Sequence, residues 1–306
     1  MQAILPFYFT SGLTYKPAVF VTFTYKKQGM IKRIFTIGLI WVFTGCNTGE
    51  KPQDDGNSGN GIPAPQPITF SIDTVLPHDP AAYTQGLQFY NGKLYEGTGD
   101  YENSSLRIVD IKTGKPEKNY KMGSKDIFGE GITIFNNKIY QLTWQSKKIF
   151  VYNLDDIMHP IKTLDWTTGR AEGWGITNDG TSLIMSDGSD TIYYVLPDEE
   201  KNVMRQLKII TVADNTGSLD NINELEFIDG YIYANRYQTN DILKIDTANG
   251  HVVGKIDLTG ILSQYDAKEI TNDTDVLNGI AYDSSTKKLY ITGKRWPKMF
   301  QVHLNQ

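Results

Sequence analysis

Five side chains recur at one place in a repeated pattern. Gln85, Glu130, Trp174, Asn223 and Asn278 each stand immediately before a Gly or Glu that is followed by an apolar residue. A second set, Gly99, Trp144, Gly188, Tyr237 and Lys294, lies four residues beyond a Tyr or Ile in the same five segments. Together the sets hold a lone carboxylate, a lone ammonium, carboxamides and aromatic rings. An acid and an amine walled by indoles suit proton transfer in a partly apolar pocket, where amide and ammonium N–H groups can meet developing negative charge. Any one of these residues would serve equally well to satisfy loop backbone or to fill the taper between sheets. Their convergence is what points to chemistry.

That convergence requires elements that bring the five segments to one axis. The segments open Gln85-Gly86-Leu87, Glu130-Gly131-Ile132, Trp174-Gly175-Ile176, Asn223-Glu224-Leu225 and Asn278-Gly279-Ile280, each starting a short apolar alternation of strand type. Turns follow at Asn91-Gly92, Asn136-Asn137, Asp179-Gly180, Asp229-Gly230 and residues 283–286, all but the last being dipeptides suited to positive φ. Second strands carry Leu94-Tyr95, Ile139-Tyr140, Leu183-Ile184, Ile232-Tyr233 and Leu289-Tyr290, and third strands are expected at 106–111, 149–154, 191–196, 242–245 and 299–302. Repeats of 44 to 55 residues without amphipathic helices match four-stranded blades, so the expectation is an all-β, five-bladed β-propeller. The innermost strands line its channel. The last repeat ends after three strands while residues 68–76 form a lone strand-like segment, so this N-terminal strand is expected to complete the last blade and remove its free edge. A β-sandwich, the competing architecture, does not explain five in-register hairpins.

Upstream, Met30-Ile31-Lys32-Arg33, the apolar run 34–43 and Thr44-Gly45-Cys46 read as a signal peptide whose end resembles the lipobox of bacterial lipoproteins, with Phe43 where Leu is commoner. The alternative is an ordinary signal peptide with an incidental cysteine. The expected divisions are an upstream extension (1–29), a signal peptide (30–45), a Gly/Asn/Asp/Pro-rich tether (46–67) and the propeller (68–306). The chain would then be a monomer on the bacterial cell envelope, held to the membrane by lipid on Cys46. Cys46 is the one cysteine, so disulfides contribute nothing to stability. Residues 1–45 hold five Lys/Arg and no acid, so the net charge of −5 becomes −10 without them, which argues against a nucleic-acid partner. His78, His159, His251 and His303 are scattered without metal-ligand spacing and are expected on surfaces or loops, so no catalytic metal is expected. The oxygen-rich turns 187–190 and 272–275 leave room for a structural ion. No nucleophile elbow, P-loop or dinucleotide fingerprint is present.

Tyr83-Thr84-Gln85-Gly86-Leu87, Phe128-Gly129-Glu130-Gly131, Leu142-Thr143-Trp144, Glu172-Gly173-Trp174-Gly175, Asn223-Glu224-Leu225-Glu226, Leu277-Asn278-Gly279-Ile280 and Thr292-Gly293-Lys294 resemble the plant-type glutaminyl-peptide cyclotransferases, also found in bacteria. The resemblance spans about residues 83–296 and touches all five repeats. It implies a five-bladed propeller that converts N-terminal glutamine of peptides to pyroglutamate with release of ammonia; the chemistry is expected to require no cofactor. By the same resemblance Glu130 matches the essential acid, Gln85, Asn223 and Lys294 the polar site positions, and Phe128, Trp144 and Trp174 the aromatic wall. Tyr83 stands where Phe is usual and Tyr237 where Trp is usual, so substrate preference is expected to differ.

These residues suit that reaction. Cyclisation needs the α-amine folded against the γ-carboxamide of its own residue, which aromatic walls can enforce. The amine, with a reference pKa of about 7.7–8.0, loses its proton cheaply near neutral pH. The amide nitrogen must leave protonated, a task assigned to Glu130, whose proton affinity its aromatic surroundings should raise and Lys294 should lower. Lys294, Gln85 and Asn223 are candidate donors to the oxyanion, and Asn278 is weighted toward holding loop backbone. Two other readings stand beside this one: a non-catalytic envelope propeller that presents loops to a partner, and a propeller hydrolase with a metal in its channel.

Overall fold

Hairpin chemistry is set locally. Asn91 and Gly92 (φ 48° and 76°), Asn136 and Asn137 (50° and 60°) and Asp229 and Gly230 (49° and 87°) all take the left-handed conformation, the backbone of tight two-residue turns whose twist matches the strands they join. They connect Tyr83–Tyr90 to Lys93–Gly99, Gly129–Phe135 to Lys138–Thr143 and Ile222–Ile228 to Tyr231–Arg236. Asp179 and Gly180 depart from that expectation. Only Gly180 is left-handed (φ 81°), because the Asp179 carboxylate accepts the N–H groups of Thr181 (2.8 Å) and Ser182 (2.7 Å) and shapes a longer loop between Ile176–Asn178 and Leu183–Ser186.

The computed structural model describes residues 60–305 except Thr168 and Ala171, so Cys46 and the expectations for residues 1–59 lie outside the described residues. The described fold is all-β with one short helix, Ile261–Asp266, whose Ile261 and Leu262 are buried. Each hairpin is extended outward. Tyr83–Tyr90, Lys93–Gly99, Ser105–Asp110 and Lys115–Lys121 form one four-stranded sheet in that order. Two further meanders, running from Gly129–Phe135 out to Asp156–Asp165 and from Ile176–Asn178 out to Val203–Thr211, are joined into an eight-stranded sheet by the parallel pairing of Asp165 with Val203. Ile222–Ile228 begins the next sheet, which ends in Val252–Asp257 and a parallel fifth strand, Gln66–Pro67. These last two residues, read from sequence as tether, are therefore in a sheet. Ile68 draws them there, donating its N–H to Lys255 O (2.8 Å) and lying over Gly254, where a Cβ would fall 2.6 Å from the Ile68 side chain. In a further four-stranded sheet Thr69–Pro77 pairs antiparallel with Lys298–Asn305, outside Lys288–Gly293 and Leu277–Asp283, and Ala213–Asp214 with Gly217–Ser218 forms a small separate ribbon.

The inner strands neighbour one another cyclically: Tyr83–Tyr90, Gly129–Phe135, Ile176–Asn178, Ile222–Ile228, Leu277–Asp283 and back to Tyr83–Tyr90. The glycine at the repeat start is required by this approach. A Cβ on Gly131 would sit 2.7 Å from Trp174 O, and one on Gly175 only 2.0 Å from Asn223 O. Inner edges also expose N–H groups that must find acceptors. Side chains supply them: Thr177 Oγ1 accepts from Phe227 N (3.2 Å), Glu226 from Tyr282 N (2.8 Å) and Asn235 from Gly279 N (2.8 Å). Glu224, which replaces the glycine in the fourth repeat, accepts from both Leu87 N (3.3 Å) and Ile280 N (2.9 Å) and so ties three repeats together near the axis.

Five buried clusters fill the spaces between successive sheets. One gathers Ile228, Ile242 and Ile256 against Ile280, Ile291 and Phe300. Truncating a fully buried ring such as Phe300 costs about 3–5 kcal/mol, so each interface is a substantial part of net stability. His78 lies in a loop, directly after Thr69–Pro77, as expected, but not at the surface. It is buried, with Nδ1 2.6 Å from Trp296 O and Nε2 3.1 Å from Glu96 Oε1. Burial alone would raise the Glu96 carboxyl, but Arg107 and His78 hold it down to about 2.

Candidate active site

The two sequence rings meet around one cavity of about 270 Å³ at the mouth formed by the inner strands. From the first ring Gln85, Glu130, Trp174 and Asn223 line it, and from the second Trp144, Tyr237 and Lys294, with Tyr83 and Phe128 completing the wall. The second ring's two glycines have a steric task. A Cβ on Gly99 would lie 2.2 Å from the Phe128 ring, and one on Gly188 2.5 Å from the Trp174 ring. Three second-ring positions thus project side chains, and two leave room for rings from their neighbours.

Asn278 does not line the cavity. It is buried beneath it, donating Nδ2 to Thr84 O (3.0 Å) and to Gln85 Oε1 (3.4 Å). Gln85 in turn joins the two ionisable groups: its Oε1 accepts from Lys294 Nζ, and its Nε2 donates to Glu130 Oε1 (3.2 Å). Next to it, Thr84 Oγ1 donates to Glu96 Oε1 (2.7 Å), so the buried His78–Glu96–Arg107 cluster braces the strand that carries Gln85.

Burial decides the balance left open by sequence. Desolvation raises Glu130 well above the ordinary carboxylate value, against the lowering effect of Lys294 and helped by the charge of Glu172. The same burial pulls Lys294 down to about 8, with Glu130 and Asp275 opposing. The Lys294 ammonium lies 4.6 Å from the Tyr83 ring centroid and 5.5 Å from that of Tyr237, faces that offset part of its lost hydration.

The aromatic wall is edge-to-face throughout: Phe128 with Trp144 (5.9 Å) and Tyr83 (6.0 Å), and Trp174 with Tyr237 (5.5 Å). Its orientation is fixed by two residues that the sequence reading missed. Glu172 Oε2 accepts both indole N–H groups, from Trp144 (3.1 Å) and Trp174 (3.2 Å). Asp275 Oδ2 accepts the Tyr83 hydroxyl (2.9 Å). Glu172 sits two residues before Trp174, the spacing that puts side chains on one face of an extended segment, so a signal was present. Asp275 lay within a turn read as an ion candidate. Its other oxygen accepts Val276 N (2.8 Å). Asp187, in the second such turn, accepts from Tyr193 OH (2.9 Å), Arg170 N (3.0 Å) and Ser189 N (3.1 Å). Among the residues that line the cavity, Asn223 has one unsatisfied polar atom: its Oδ1 is buried without a partner.

A desolvated carboxyl and ammonium bridged by a carboxamide, inside an aromatic pocket sized for one residue, define an all-β enzyme acting on a small amide- or amine-bearing group. The comparisons narrow this class. The family model described as glutamine cyclotransferase matches residues 41–304. A glutaminyl-peptide cyclotransferase of Arabidopsis thaliana is 38% identical over 238 residues, 78% of this chain and 72% of that protein. The crystal structure of Myxococcus xanthus glutaminyl cyclase superposes with a TM-score of 0.70 at 32% identity, over 79% of this chain and 98% of the other. The chain belongs to the glutamine cyclotransferase family.

Proposed function

We propose that this enzyme closes the N-terminal glutamine of peptides and proteins to pyroglutamate with release of ammonia, and that Glu130 carries the proton between the two nitrogens. The observation that supports this most is the Glu130–Gln85–Lys294 chain buried against Phe128, Trp144 and Trp174. In the step proposed, the α-nitrogen bonds to the side-chain carboxamide carbon and the bond from that carbon to its amide nitrogen breaks. One proton passes from the attacking nitrogen to the leaving one, so ammonia departs neutral. Burial raises the Glu130 carboxyl well above its ordinary value, which narrows the gap in proton affinity between it and the amine and lowers the cost of passing that proton. The Lys294 ammonium, protonated below about 8, stabilises the oxyanion of the tetrahedral intermediate, and Asn223 Oδ1 accepts an amine N–H. Gln85 holds the carboxyl and ammonium at fixed separation.

The cyclic order of inner strands and the pairing of Thr69–Pro77 with Lys298–Asn305 support reading the sheets as five blades of one propeller closed by its N-terminal strand. The lipobox-like Thr44-Gly45-Cys46 supports a lipid anchor on Cys46 and residence at the bacterial cell envelope. Turnover is expected to need no metal and to survive exhaustive chelation. Ammonia release from glutamine amide tests the assignment directly: absence of turnover by the folded enzyme between pH 6 and 9 would refute it.

A further inference from the structure

A second cleft of about 290 Å³ adjoins the active-site cavity and shares Phe128 with it. Its other walls are Tyr101, Lys125, Asp126, Gln145 and Ser146. Gln145 and Ser146 directly follow Trp144 of the pocket wall, and Trp144 N donates to Phe128 O (3.0 Å), so the two cavities are built on one pair of loops. Three features mark the cleft as more than a surface groove. Tyr101 is 42% exposed, yet its ring meets Phe128 edge-on at 5.3 Å, extending the pocket's aromatic wall to the surface. Ser146 lines the cleft and its Oγ, buried as the protein stands, has no hydrogen-bond partner, so a χ1 rotation that turns it toward the cleft breaks no bond. Gln145 Nε2 donates to Glu172 Oε1 (3.3 Å), the carboxylate that orients both pocket indoles, so the cleft wall is held by the same group as the pocket.

We infer that this cleft is the subsite for the peptide segment following the N-terminal glutamine, with an aromatic or large apolar side chain favoured against Tyr101 and a peptide backbone group bound by Ser146. The inference rests on the cyclase reading above. For cyclisation the α-amine and the side-chain carboxamide must both be turned toward Glu130, which leaves the α-carbonyl as the one attachment leading out. Any chain attached there must cross the pocket rim, and the Phe128 side of the rim opens onto an aromatic surface and an unsatisfied hydroxyl. The rim charges do not select for charge: Lys125 and Asp126 are opposite in sign, and Lys125 already pairs with Glu102 at 3.1 Å. Side-chain character and backbone hydrogen bonding are therefore what the cleft can read.

The test compares kcat/KM for glutamine amide, which ends at the pocket, with that for Gln-initiated hexapeptides carrying Phe or Gly at the second or third position. In wild-type enzyme the aromatic peptide should exceed both the glycine peptide and the amide, mainly through KM. In Tyr101→Ala the ratio of aromatic peptide to amide should fall by about 3- to 10-fold, the worth of one aromatic contact. In Ser146→Ala the ratio of either hexapeptide to amide should fall while the preference for Phe over Gly remains. Equal kcat/KM for amide and hexapeptides in the wild type, or an unchanged ratio in Tyr101→Ala, would overturn the subsite. Failure of the wild type to turn over glutamine amide would instead refute the cyclase reading, and the subsite with it.

Discussion

Replacing Glu130 by glutamine should move activity and stability in opposite directions. Glutamine is nearly isosteric and keeps the oxygen that accepts from Gln85 Nε2, so the pocket is preserved while the transferable proton is lost. General acid–base groups contribute about 10²- to 10⁴-fold, and turnover should fall by that amount with KM little changed. The stability effect follows from burial. Folding raises the carboxyl above its ordinary value of 4.5, so the native state holds a proton that the unfolded chain has released. Stability is full below that value and is lost as pH rises toward the folded one, at up to about 1.4 kcal/mol per pH unit. Glutamine has no such proton, so the variant should match wild type near pH 5 and exceed it progressively above. For a domain of this size the gap should widen by about 3–5 °C in Tm per pH unit. The usable window ends near pH 8, where Lys294, brought down to about 8, is half deprotonated. Thermal melts from pH 5 to 8 beside ammonia release from glutamine amide make the measurement. A variant retaining activity within about tenfold of wild type would remove Glu130 from proton transfer, and a pH-independent difference in Tm would refute the desolvation argument.

Gly188→Ala should cost about 10²-fold in kcat/KM for glutamine amide, because its Cβ would fall 2.5 Å from the Trp174 ring at φ +74° and displace the wall of a site in which small misplacements are expensive. A shift in indole fluorescence should accompany the loss, and an unperturbed spectrum would contradict it. Glu172→Gln removes both the charged acceptor of two indoles and a charge that raises Glu130. KM should rise several-fold, and the limb of the kcat/KM profile that reports Glu130 should move to lower pH; movement to higher pH would refute the assignment. Glu226 is raised to about 8 by burial, so wild-type stability should decline as pH rises from about 4.5 to 8 by up to about 1.4 kcal/mol per unit. In Glu226→Gln, which retains an acceptor for Tyr282 N, urea denaturation should show a shallower decline.

What the sequence made legible was whatever depends on local backbone demands. Glycine at the first three repeat starts is forced by neighbouring backbone at 2.0 to 2.7 Å and at the fifth by a φ of +123°, while positive φ selects Asn-Gly, Asn-Asn and Asp-Gly at three of the turns, so both recur visibly and set the phase of the hairpins. With the phase known, the inner-strand positions follow, and with them the residues that line the cavity. Partnerships across distant segments carry no such local mark. His78 reads as a solvent-facing loop histidine until Glu96 and Trp296 are placed beside it. Asp275 reads as turn chemistry until Tyr83, 192 residues away in sequence, donates to it. Asp179 kept the appearance of a tight hairpin dipeptide while its carboxylate shaped a longer loop.

Glu224 shows how an exception to the repeat carries information of its own. A residue with a long charged side chain at the glycine position would clash if it copied its neighbours, so its carboxyl turns to the axis and accepts two inner-edge N–H groups from different repeats. Burial, reinforced by Glu226, raises that carboxyl well above its ordinary value, against the lowering effect of the two N–H groups it accepts. These two bonds tie together repeats one, four and five, which supply Gln85, Asn223 and Lys294 to the site. The one repeat that breaks the glycine rule thus joins the repeats whose polar side chains must keep their spacing.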